Sequence, residues 1–203
     1  MVDSKFWDNV YDKKSEKEVS WYQDVPAKSL ELIAELNLSL EDAIIDVGGG
    51  ESHLVDHLQS MGFKDISILD ISSLALEKTK ARLGENANKV KFITSDVTKF
   101  KPSEKYMLWH DRATFHFLTS KDAIENYLDI ANQAIADGGY LIVSTFSKTG
   151  PEKCSGLQVS QYSEADLKKM FEKHFTNIRC LEDTHSTPWG STQNFVYCGF
   201  KKR

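Results

Sequence analysis

The sequence has few of the features that mark secreted, metal-binding or membrane-spanning proteins. Its 203 residues include only three cysteines, Cys154, Cys180 and Cys198, and no C-x-x-C pair. This spacing predicts neither a disulfide framework nor a thiolate zinc site, and it favours a reducing compartment. No run approaches the roughly 20 apolar residues that cross a bilayer, and the N-terminus lacks the apolar stretch of a secretory signal. We therefore expect a cytoplasmic protein that does not contact a membrane.

The sequence also lacks an excess of positive charge. Its 25 basic and 30 acidic residues give a formal net charge of -5. Proteins that bind nucleic acid mainly through phosphates need a positive face, so no nucleic-acid partner is predicted. The sequence contains no low-complexity segment or internal repeat, and it gives no indication of the oligomeric state.

Apolar runs and segments with helical spacing alternate along most of the chain. Ala43–Val47 is a short apolar run bounded by glycine, which is typical of a buried strand. A long helix is expected to end at Gly138, and Tyr140–Phe146 is expected to form the fifth strand. Such alternation predicts parallel βαβ units and a sheet covered by helices on both faces.

The last two strand-like runs break this alternation. They lie near Ile178–Leu181 and Phe195–Phe200, with no helix between them. We expect an antiparallel pair at the sheet edge, joined by the long connection Glu182–Asn194.

Acidic residues follow the first three predicted strands. Asp46 precedes the glycine turn Gly48–Gly50, Asp70 ends the second strand and Asp96 follows the third. In open α/β sheets, ligands bind outside the carboxyl ends of the strands. Asp70 lies about 20 residues past the glycines, the usual place for a carboxylate that binds ribose hydroxyls. Asp96 lies where a carboxylate can accept a hydrogen bond from the amino group of an adenine.

Two nucleotide-like ligands fit this pattern. A dinucleotide needs G-x-G-x-x-G, and His53 stands at the third glycine position, so that fingerprint fails. S-adenosylmethionine has no phosphate and does not demand the third glycine. Its positively charged sulfonium and amino groups favour acids such as Asp46.

Five motifs resemble those of the class I (seven-β-strand) S-adenosylmethionine-dependent methyltransferases, and together they span nearly the whole chain. They are Asp46–Gly50, Asp70, Ser95–Asp96, Tyr106–Asp111 and Gly138–Ile142. The resemblance implies a Rossmann-like three-layer αβα sandwich with strand order 3-2-1-4-5-7-6 and strand 7 antiparallel. It also implies one domain over residues 1–203, S-adenosylmethionine as cofactor and no metal ion.

The resemblance assigns cofactor contacts residue by residue. Gly48 and Gly50 would let the backbone approach the methionine moiety, and Asp46 would interact with its amino group. Asp70 would hold the ribose and Asp96 the adenine. The cofactor-binding residues implied within the sheet are Asp46, Gly48, Gly49, Gly50, Asp70, Ile71, Asp96 and Val97.

Residues 1–25 are rich in aromatic side chains. Trp7 and Tyr11 belong to a W-D-x-x-Y segment that resembles one in protein-lysine methyltransferases, including those of the elongation factor, and Trp21 follows. These residues fit a helix that packs on the core, and they also fit a lid over the cofactor. The two interpretations are compatible, and we include the three aromatics among the predicted cofactor contacts.

The segment Trp109–Ala113 resembles the W-D-R-G/A segment of thiopurine methyltransferases, with His110 inserted. Asp111 is the first candidate for a catalytic residue near the reacting methyl group, and His110 is another. Arg112 would either bind an anionic acceptor or pair with Asp111.

The acceptor and the activity are left open among several alternatives. The thiopurine-like segment favours a small thiol-like or metalloid acceptor, and the W-D-x-x-Y segment allows a protein lysine. The alternatives from other classes are an NAD-dependent oxidoreductase and a non-catalytic cofactor-binding module.

Overall fold

The computed structural model describes residues 3–203, which form a mixed α/β fold. The helices are α1 (Ser4–Lys13), α2 (Ala27–Ala34), α3 (Leu54–Ser60), α4 (Ser73–Leu83), α5 (Lys121–Ala134) and α6 (Glu164–Phe171). The strands are β1 (Ile44–Val47), β2 (Ile66–Asp70), β3 (Val90–Thr94), β4 (Tyr106–Arg112), β5 (Ile135–Phe146), β6 (Lys153–Cys154), β7 (Leu157–Gln158), β8 (Phe175–Ser186) and β9 (Thr192–Lys202). Short 3-10 turns lie at Glu16–Glu18, Gly84–Lys89, Val97–Lys99 and Phe115–Phe117.

Seven strands form one sheet in the order β3-β2-β1-β4-β5-β9-β8. Neighbouring strands from β3 to β5 are parallel, whereas β9 runs antiparallel to both β5 and β8. The predicted order and the antiparallel seventh strand are therefore confirmed. The two-residue strands β6 and β7 form a small hairpin in the loop after β5.

Helices cover both faces of the sheet, as predicted. One core cluster packs α2, α3 and α4 against the sheet, through side chains such as Leu32 and Leu58. The other packs α5 and α6 against the opposite face, through side chains such as Tyr127 and Phe171. Among the described residues, no helix combines the length and apolar character needed to span a membrane.

Serine side chains fix where three of the helices begin. The hydroxyls of Ser72 and Ser120 accept hydrogen bonds from backbone N–H groups in the first turns of α4 and α5. Ser163 and Asp166 form a reciprocal capping box at the start of α6. Each cap satisfies donors that the helix itself leaves unpaired, so these helices start close to the strand ends that line the site.

The fifth strand begins earlier than predicted. Ile135 already pairs with Tyr106, and the register then shifts before Leu108 pairs with Tyr140. Gly138 has φ +76° in the intervening segment and does not end the helix, which stops at Ala134. This register shift accommodates the extra residues between Ile135 and Tyr140 as a bulge, so the fifth strand remains part of the sheet.

The final hairpin differs from the prediction in two respects. The strands β8 and β9 pair as far as Ser186 and Thr192, so the predicted long connection shrinks to a short turn. Cys180 and Cys198 stand opposite each other and form a disulfide, with Cα atoms 4.2 Å apart. The spacing argument against a disulfide therefore fails for this pair, because 18 residues separate the two cysteines in sequence and only the hairpin register brings them together.

Candidate functional site

A cavity opens at the carboxyl ends of the parallel strands, where open α/β sheets bind ligands. Nine of the predicted site residues line it: Trp7, Tyr11, Trp21, Gly48, Asp70, Ile71, Asp96, Val97 and Arg112. Five predicted residues are not among those that line it: Asp46, Gly49, Gly50, His110 and Asp111. The cavity thus brings nine of the predicted residues together, and the roles predicted for them remain predictions.

The glycine turn after β1 contributes Gly48 to the floor of the cavity. Gly48 has φ +67°, and a Cβ atom there would lie 1.7 Å from the Thr114 hydroxyl oxygen. Gly50 has φ +41°, and its Cβ would lie 2.6 Å from the Tyr11 phenol oxygen. Both positions need glycine, because the backbone conformation is left-handed and the space is already filled.

Asp70 ends β2 beside the start of α4. One carboxylate oxygen accepts a hydrogen bond from the Ser72 backbone N–H at 2.8 Å. Burial raises the pKa of the Asp70 carboxyl to about 7, against the opposing effect of hydrogen bonds from the Ser72 and Gly50 backbones. The carboxylate is thus held in a fixed position at the cavity wall.

Asp96 follows β3 and is oriented by its own turn. Its Oδ1 accepts hydrogen bonds from the Thr98 backbone N–H at 2.9 Å and from the Thr98 hydroxyl at 2.7 Å. Its Oδ2 lies 3.7 Å from the Lys99 ammonium group. Val97, next along the chain, contributes an apolar side chain to the cavity.

We name the group Asp70, Ile71, Asp96 and Val97 the acid end of the cavity. Two carboxylates flank two aliphatic side chains there. These four side chains fit a nucleoside. Carboxylates accept hydrogen bonds from ribose hydroxyls or from an adenine amino group, and aliphatic side chains pack on the base. Asp70 and Asp96 would hold the nucleoside of S-adenosylmethionine, and Gly48 would lie beside its methionine part.

Asp46 and His110 belong to a buried chain of polar groups under the cavity. His110 Nδ1 lies 2.7 Å from Asp46 Oδ1, and His110 Nε2 lies 2.8 Å from the Ser29 hydroxyl. Asp46 Oδ2 is buried and has no hydrogen-bond partner. His110 has both ring nitrogens engaged inside the core, so its assignment as a residue in contact with substrate is corrected to a buried, structural position.

Asp111 is fully buried on the other face of β4. It accepts hydrogen bonds from the backbone N–H groups of Thr114 and Phe115 at 2.9 and 3.2 Å, and from the Tyr127 hydroxyl at 2.8 Å. Burial raises the pKa of the Asp111 carboxyl to about 6. The structure therefore corrects the placement of Asp111 near the reacting methyl group, since neighbouring residues of a strand point to opposite faces and Arg112 faces the cavity.

Arg112 does not pair with Asp111. Its Nη2 donates a hydrogen bond to the Trp21 carbonyl oxygen at 2.6 Å. Its Nη1 is buried and has no hydrogen-bond partner within residues 3–203. Of the two alternatives for this residue, the pairing with Asp111 is excluded by the geometry.

Four aromatic side chains lie over the cavity, and we name them the aromatic cover: Trp7, Tyr11, Trp21 and Phe117. The Trp7 ring centroid lies 5.1 Å from that of Phe117 and 6.0 Å from that of Trp21. Burial raises the pKa of the Tyr11 phenol well above its usual value, so the hydroxyl is neutral.

Asp8, the acid of the W-D-x-x-Y segment, connects α1 to the start of α4 through hydrogen bonds. Its Oδ1 accepts hydrogen bonds from the Ser72 hydroxyl at 2.6 Å and from the Leu74 backbone N–H at 3.3 Å. Trp7 and Tyr11 are four residues apart and share the helix face that lies over the cavity. The segment thus has one acid that anchors it and two aromatics that cover the site.

Sequence reasoning missed several lining residues. Phe146, Cys154, Gln193 and Phe195 line the cavity beyond Arg112, and we name these five residues the arginine end. Burial raises the pKa of the Cys154 thiol to about 11, so it is uncharged near neutral pH. Gln193 gave no signal in the sequence, because it lies within the predicted connection Glu182–Asn194 and not in a predicted strand.

Comparisons with known proteins agree with this geometry. A methyltransferase-domain family matches residues 38–197. An eEF1A lysine and N-terminal methyltransferase homolog of Drosophila melanogaster is 27% identical over 143 residues, which is 66% of this chain and 21% of that protein. The malonyl-[acyl-carrier protein] O-methyltransferase 2 of Ilyobacter polytropus is 29% identical over 120 residues, 56% of this chain and 45% of that protein. The chain thus spans less than half the length of either relative.

A solved structure shares the fold over nearly its full length. The N-methyltransferase NodS of Bradyrhizobium japonicum, in complex with S-adenosylhomocysteine, has a TM-score of 0.74 and 14% identity. The match covers 98% of this chain and 99% of that one. The family match, the strand order and the acid end together show that the chain belongs to the class I S-adenosylmethionine-dependent methyltransferases.

Proposed function

We propose that this chain transfers a methyl group from S-adenosylmethionine to a small molecule that binds at the arginine end of the cavity. The observation that carries the proposal is the aromatic cover, which lies over a cavity whose far end holds an arginine. The aromatic cover restricts the cavity to a ligand small enough to be enclosed by it. The positive charge of the guanidinium repels the positively charged ammonium group of a protein lysine, which disfavours a lysine as the acceptor.

When bound, S-adenosylmethionine supplies a methyl group on a positively charged sulfur. A lone pair of the acceptor forms the new bond to carbon as the methyl–sulfur electron pair returns to sulfur, which leaves S-adenosylhomocysteine. The residues of this chain bind and align both molecules, because an in-line displacement depends on the reacting atoms being held at roughly 3 Å. Asp70 and Asp96 would fix the nucleoside, and the aromatic cover would exclude water.

Among small molecules, the site favours an organic acceptor over a metalloid. A metalloid is bound by thiolates, whereas Cys154 is a neutral thiol because burial raises its pKa to about 11. The described residues also contain no group of three His, Cys, Asp or Glu side chains arranged to hold an ion.

The second candidate is methylation of a protein amine. It is supported by the W-D-x-x-Y segment and by the similarity to proteins named eEF1A lysine and N-terminal methyltransferases. It is disfavoured by Asp111, because this carboxylate is buried in its own hydrogen-bond network and is not among the residues that face the cavity.

One labelling experiment separates the candidates. Purified protein is incubated with S-adenosylmethionine carrying a tritiated methyl group and with cell extract, and protein is then precipitated. We expect the label in the soluble small-molecule fraction, and none with Asp70→Ala. Label in a protein band would overturn the proposal in favour of the second candidate. Binding of S-adenosylhomocysteine without any transfer would indicate a non-catalytic module.

A further inference from the structure

The acid end and the arginine end lie over different strands of the sheet. The acid end follows β2 and β3, the glycine turn follows β1, and the residues of the arginine end come from β4, β5, β9 and the hairpin after β5. Three steps, from β1 to β4, β5 and β9, separate the glycine turn from Gln193 and Phe195. At a strand spacing of about 4.8 Å this is roughly 14 Å, so an acceptor can bind beyond the methionine part of the cofactor.

Arg112 supplies an unpaired positive charge to the arginine end. No described carboxylate forms an ion pair with it, and the carbonyl oxygen of Trp21 is its hydrogen-bond acceptor. Its Nη1 is buried and has no hydrogen-bond partner within 3.5 Å among the described residues. Burial raises the pKa of the Tyr197 phenol, and the Arg112 guanidinium partly offsets this effect through its charge and a side-chain contact. Tyr197 is a neutral neighbour, so it does not balance the charge of Arg112. Buried charges are normally paired, because an unpaired one loses its hydration without compensation.

The other lining groups at this end suit an anion with an organic body. Gln193 is 9% exposed and lines this end, and the N–H groups of its carboxamide are donors that suit an anion. Its carboxamide oxygen has no hydrogen-bond partner among the described residues and can accept from an N–H or O–H group on the organic body. Phe146 and Phe195 are nearly fully buried, with ring centroids 4.8 Å apart. No acidic side chain contributes to this end, since the two acids that line the cavity lie at the acid end.

We propose that the methyl acceptor is an organic acid whose carboxylate binds Arg112, with an N–H group of the Gln193 carboxamide as a second donor. The inference rests on the proposed function and deepens it. A guanidinium presents paired N–H donors that match the two oxygens of a carboxylate. The carboxylate would satisfy the free Nη1, while the body of the acceptor packs against Phe146 and Phe195.

Fractionation by charge tests the class of acceptor. A deproteinised cell extract is passed at pH 8 over anion-exchange and cation-exchange resins, and each fraction is incubated with the protein and tritiated S-adenosylmethionine. We expect the acceptor in the fraction bound by the anion exchanger. An acceptor in the unbound or cation-exchange fraction would overturn the inference. If no small-molecule fraction is labelled, the result contradicts the proposed function itself. Label in the wrong fraction contradicts only the inference about the acceptor, so the two outcomes can be told apart.

Variants of Arg112 test whether it binds the acceptor or the carboxylate of the cofactor itself. For Arg112→Met we expect KM for the anionic fraction to rise roughly 30-fold or more, while the Kd for S-adenosylhomocysteine changes by less than about threefold. Arg112→Lys should recover part of the loss because it keeps the charge. An equal fall in affinity for S-adenosylhomocysteine would overturn the inference by assigning Arg112 to the cofactor.

Two further variants distinguish an effect of charge on acceptor binding from an indirect effect on folding. Gln193→Glu keeps size and shape but adds a negative charge, so it should raise KM for the anionic fraction roughly tenfold while Arg112 stays in place. An unchanged KM would contradict the inference. Arg179→Leu is the matched control, because Arg179 pairs with Glu31 and Glu35 at the exposed surface and should change neither constant.

Discussion

The acid end and the arginine end of the cavity are built by different means. Asp70 and Asp96 each accept a hydrogen bond from a backbone N–H group two residues further along the chain, and Asp70 accepts another from Gly50 in the neighbouring glycine turn. Arg112, by contrast, is positioned by the carbonyl of Trp21, 91 residues away in sequence. Local turns therefore fix the cofactor half, whereas distant segments assemble the acceptor half. The comparison suggests that cofactor binding depends on a few short motifs, and that acceptor choice depends on the tertiary fold.

The largest effect on cofactor binding is expected at Gly48. In Gly48→Ala the new Cβ would meet Thr114 at 1.7 Å in a backbone conformation with φ +67°. Since a displacement of about 1 Å can cost 100-fold in reaction rate, we expect methyl transfer to fall by roughly that factor or more. Calorimetry should also show weaker binding of S-adenosylhomocysteine, because the new side chain displaces the turn beside the ligand.

Gly190→Ala is the matched control for this variant. Gly190 also has a positive φ, +84°, but nothing lies within 4 Å of its added Cβ. We expect a loss of about 1 kcal/mol in unfolding free energy and unchanged binding. Equal loss of binding in both variants would show that general strain, not the shape of the cavity floor, explains the effect.

A smaller effect on binding, together with a pH-dependent effect on stability, is expected at Asp70. The folded pKa of about 7 lies above the ordinary value of 3.8. The stability that this group contributes is therefore fully present below about pH 4 and is lost as the pH rises to about 7. Without ligand, Asp70→Asn should lack this loss and be more stable than wild type at pH 8, by an amount on the order of 4 kcal/mol, since each pKa unit corresponds to about 1.4 kcal/mol.

The same variant should bind cofactor less well. Losing a hydrogen bond to a charged group costs about 1.5–3 kcal/mol, so affinity for S-adenosylhomocysteine should fall at least about tenfold at pH 8. Denaturation and calorimetry at pH 5 and pH 8 measure both effects. Parallel pH profiles for wild type and Asp70→Asn would contradict the account of a buried, charged ribose ligand.

The aromatic cover should have a moderate effect. Trp7→Ala removes ring contacts to Phe117 and Trp21, each worth about 0.5–1.5 kcal/mol. We expect S-adenosylhomocysteine to dissociate several times faster, as measured by stopped-flow fluorescence. The control is Trp189→Ala, at the turn between β8 and β9, where the side chain is 58% exposed and unfolding free energy should change by less than about 0.5 kcal/mol. Equal dissociation rates for wild type and Trp7→Ala would show that the cover does not retain the ligand.

Asp111 should have the smallest effect on binding. In Asp111→Asn the Tyr127 hydroxyl loses its acceptor. Unfolding free energy should therefore fall by about 1–3 kcal/mol in chemical denaturation at about pH 4. At higher pH the variant also avoids the cost of ionising a buried carboxyl whose pKa is raised to about 6, so the loss should be smaller there. Affinity for S-adenosylhomocysteine should stay at the wild-type value. A fall in methyl transfer with no fall in stability would instead support a direct catalytic role for Asp111.

The parts that the sequence predicts are those encoded by neighbouring residues. The glycine turn, Asp70 and Asp96 are identified because strand ends, caps and tight turns leave local patterns. The strand order follows from the resemblance and is confirmed. The errors have a common cause in long-range pairing. The register of β8 on β9 makes the disulfide and extends β9 to Thr192, which brings Gln193 into the sheet and to the cavity.

The corrected assignment after β4 shows what the sequence could not settle. Strand alternation requires that Asp111 and Arg112 face opposite sides. Which side faces the cavity depends on α5, whose Tyr127 binds Asp111, and on the N-terminal segment, whose Trp21 binds Arg112. Tyr127 and Trp21 both lie outside the segment Trp109–Ala113. That segment alone therefore offers three catalytic candidates, of which only Arg112 is among the residues that line the cavity.

A crystal structure of the protein with S-adenosylhomocysteine tests the division of the cavity most directly. The account predicts the adenosine at Asp70 and Asp96, the sulfur above Gly48 and Thr114, and the arginine end free of cofactor atoms. A homocysteine carboxylate bound to Arg112 would contradict it, because that end would then belong to the cofactor and not to the acceptor.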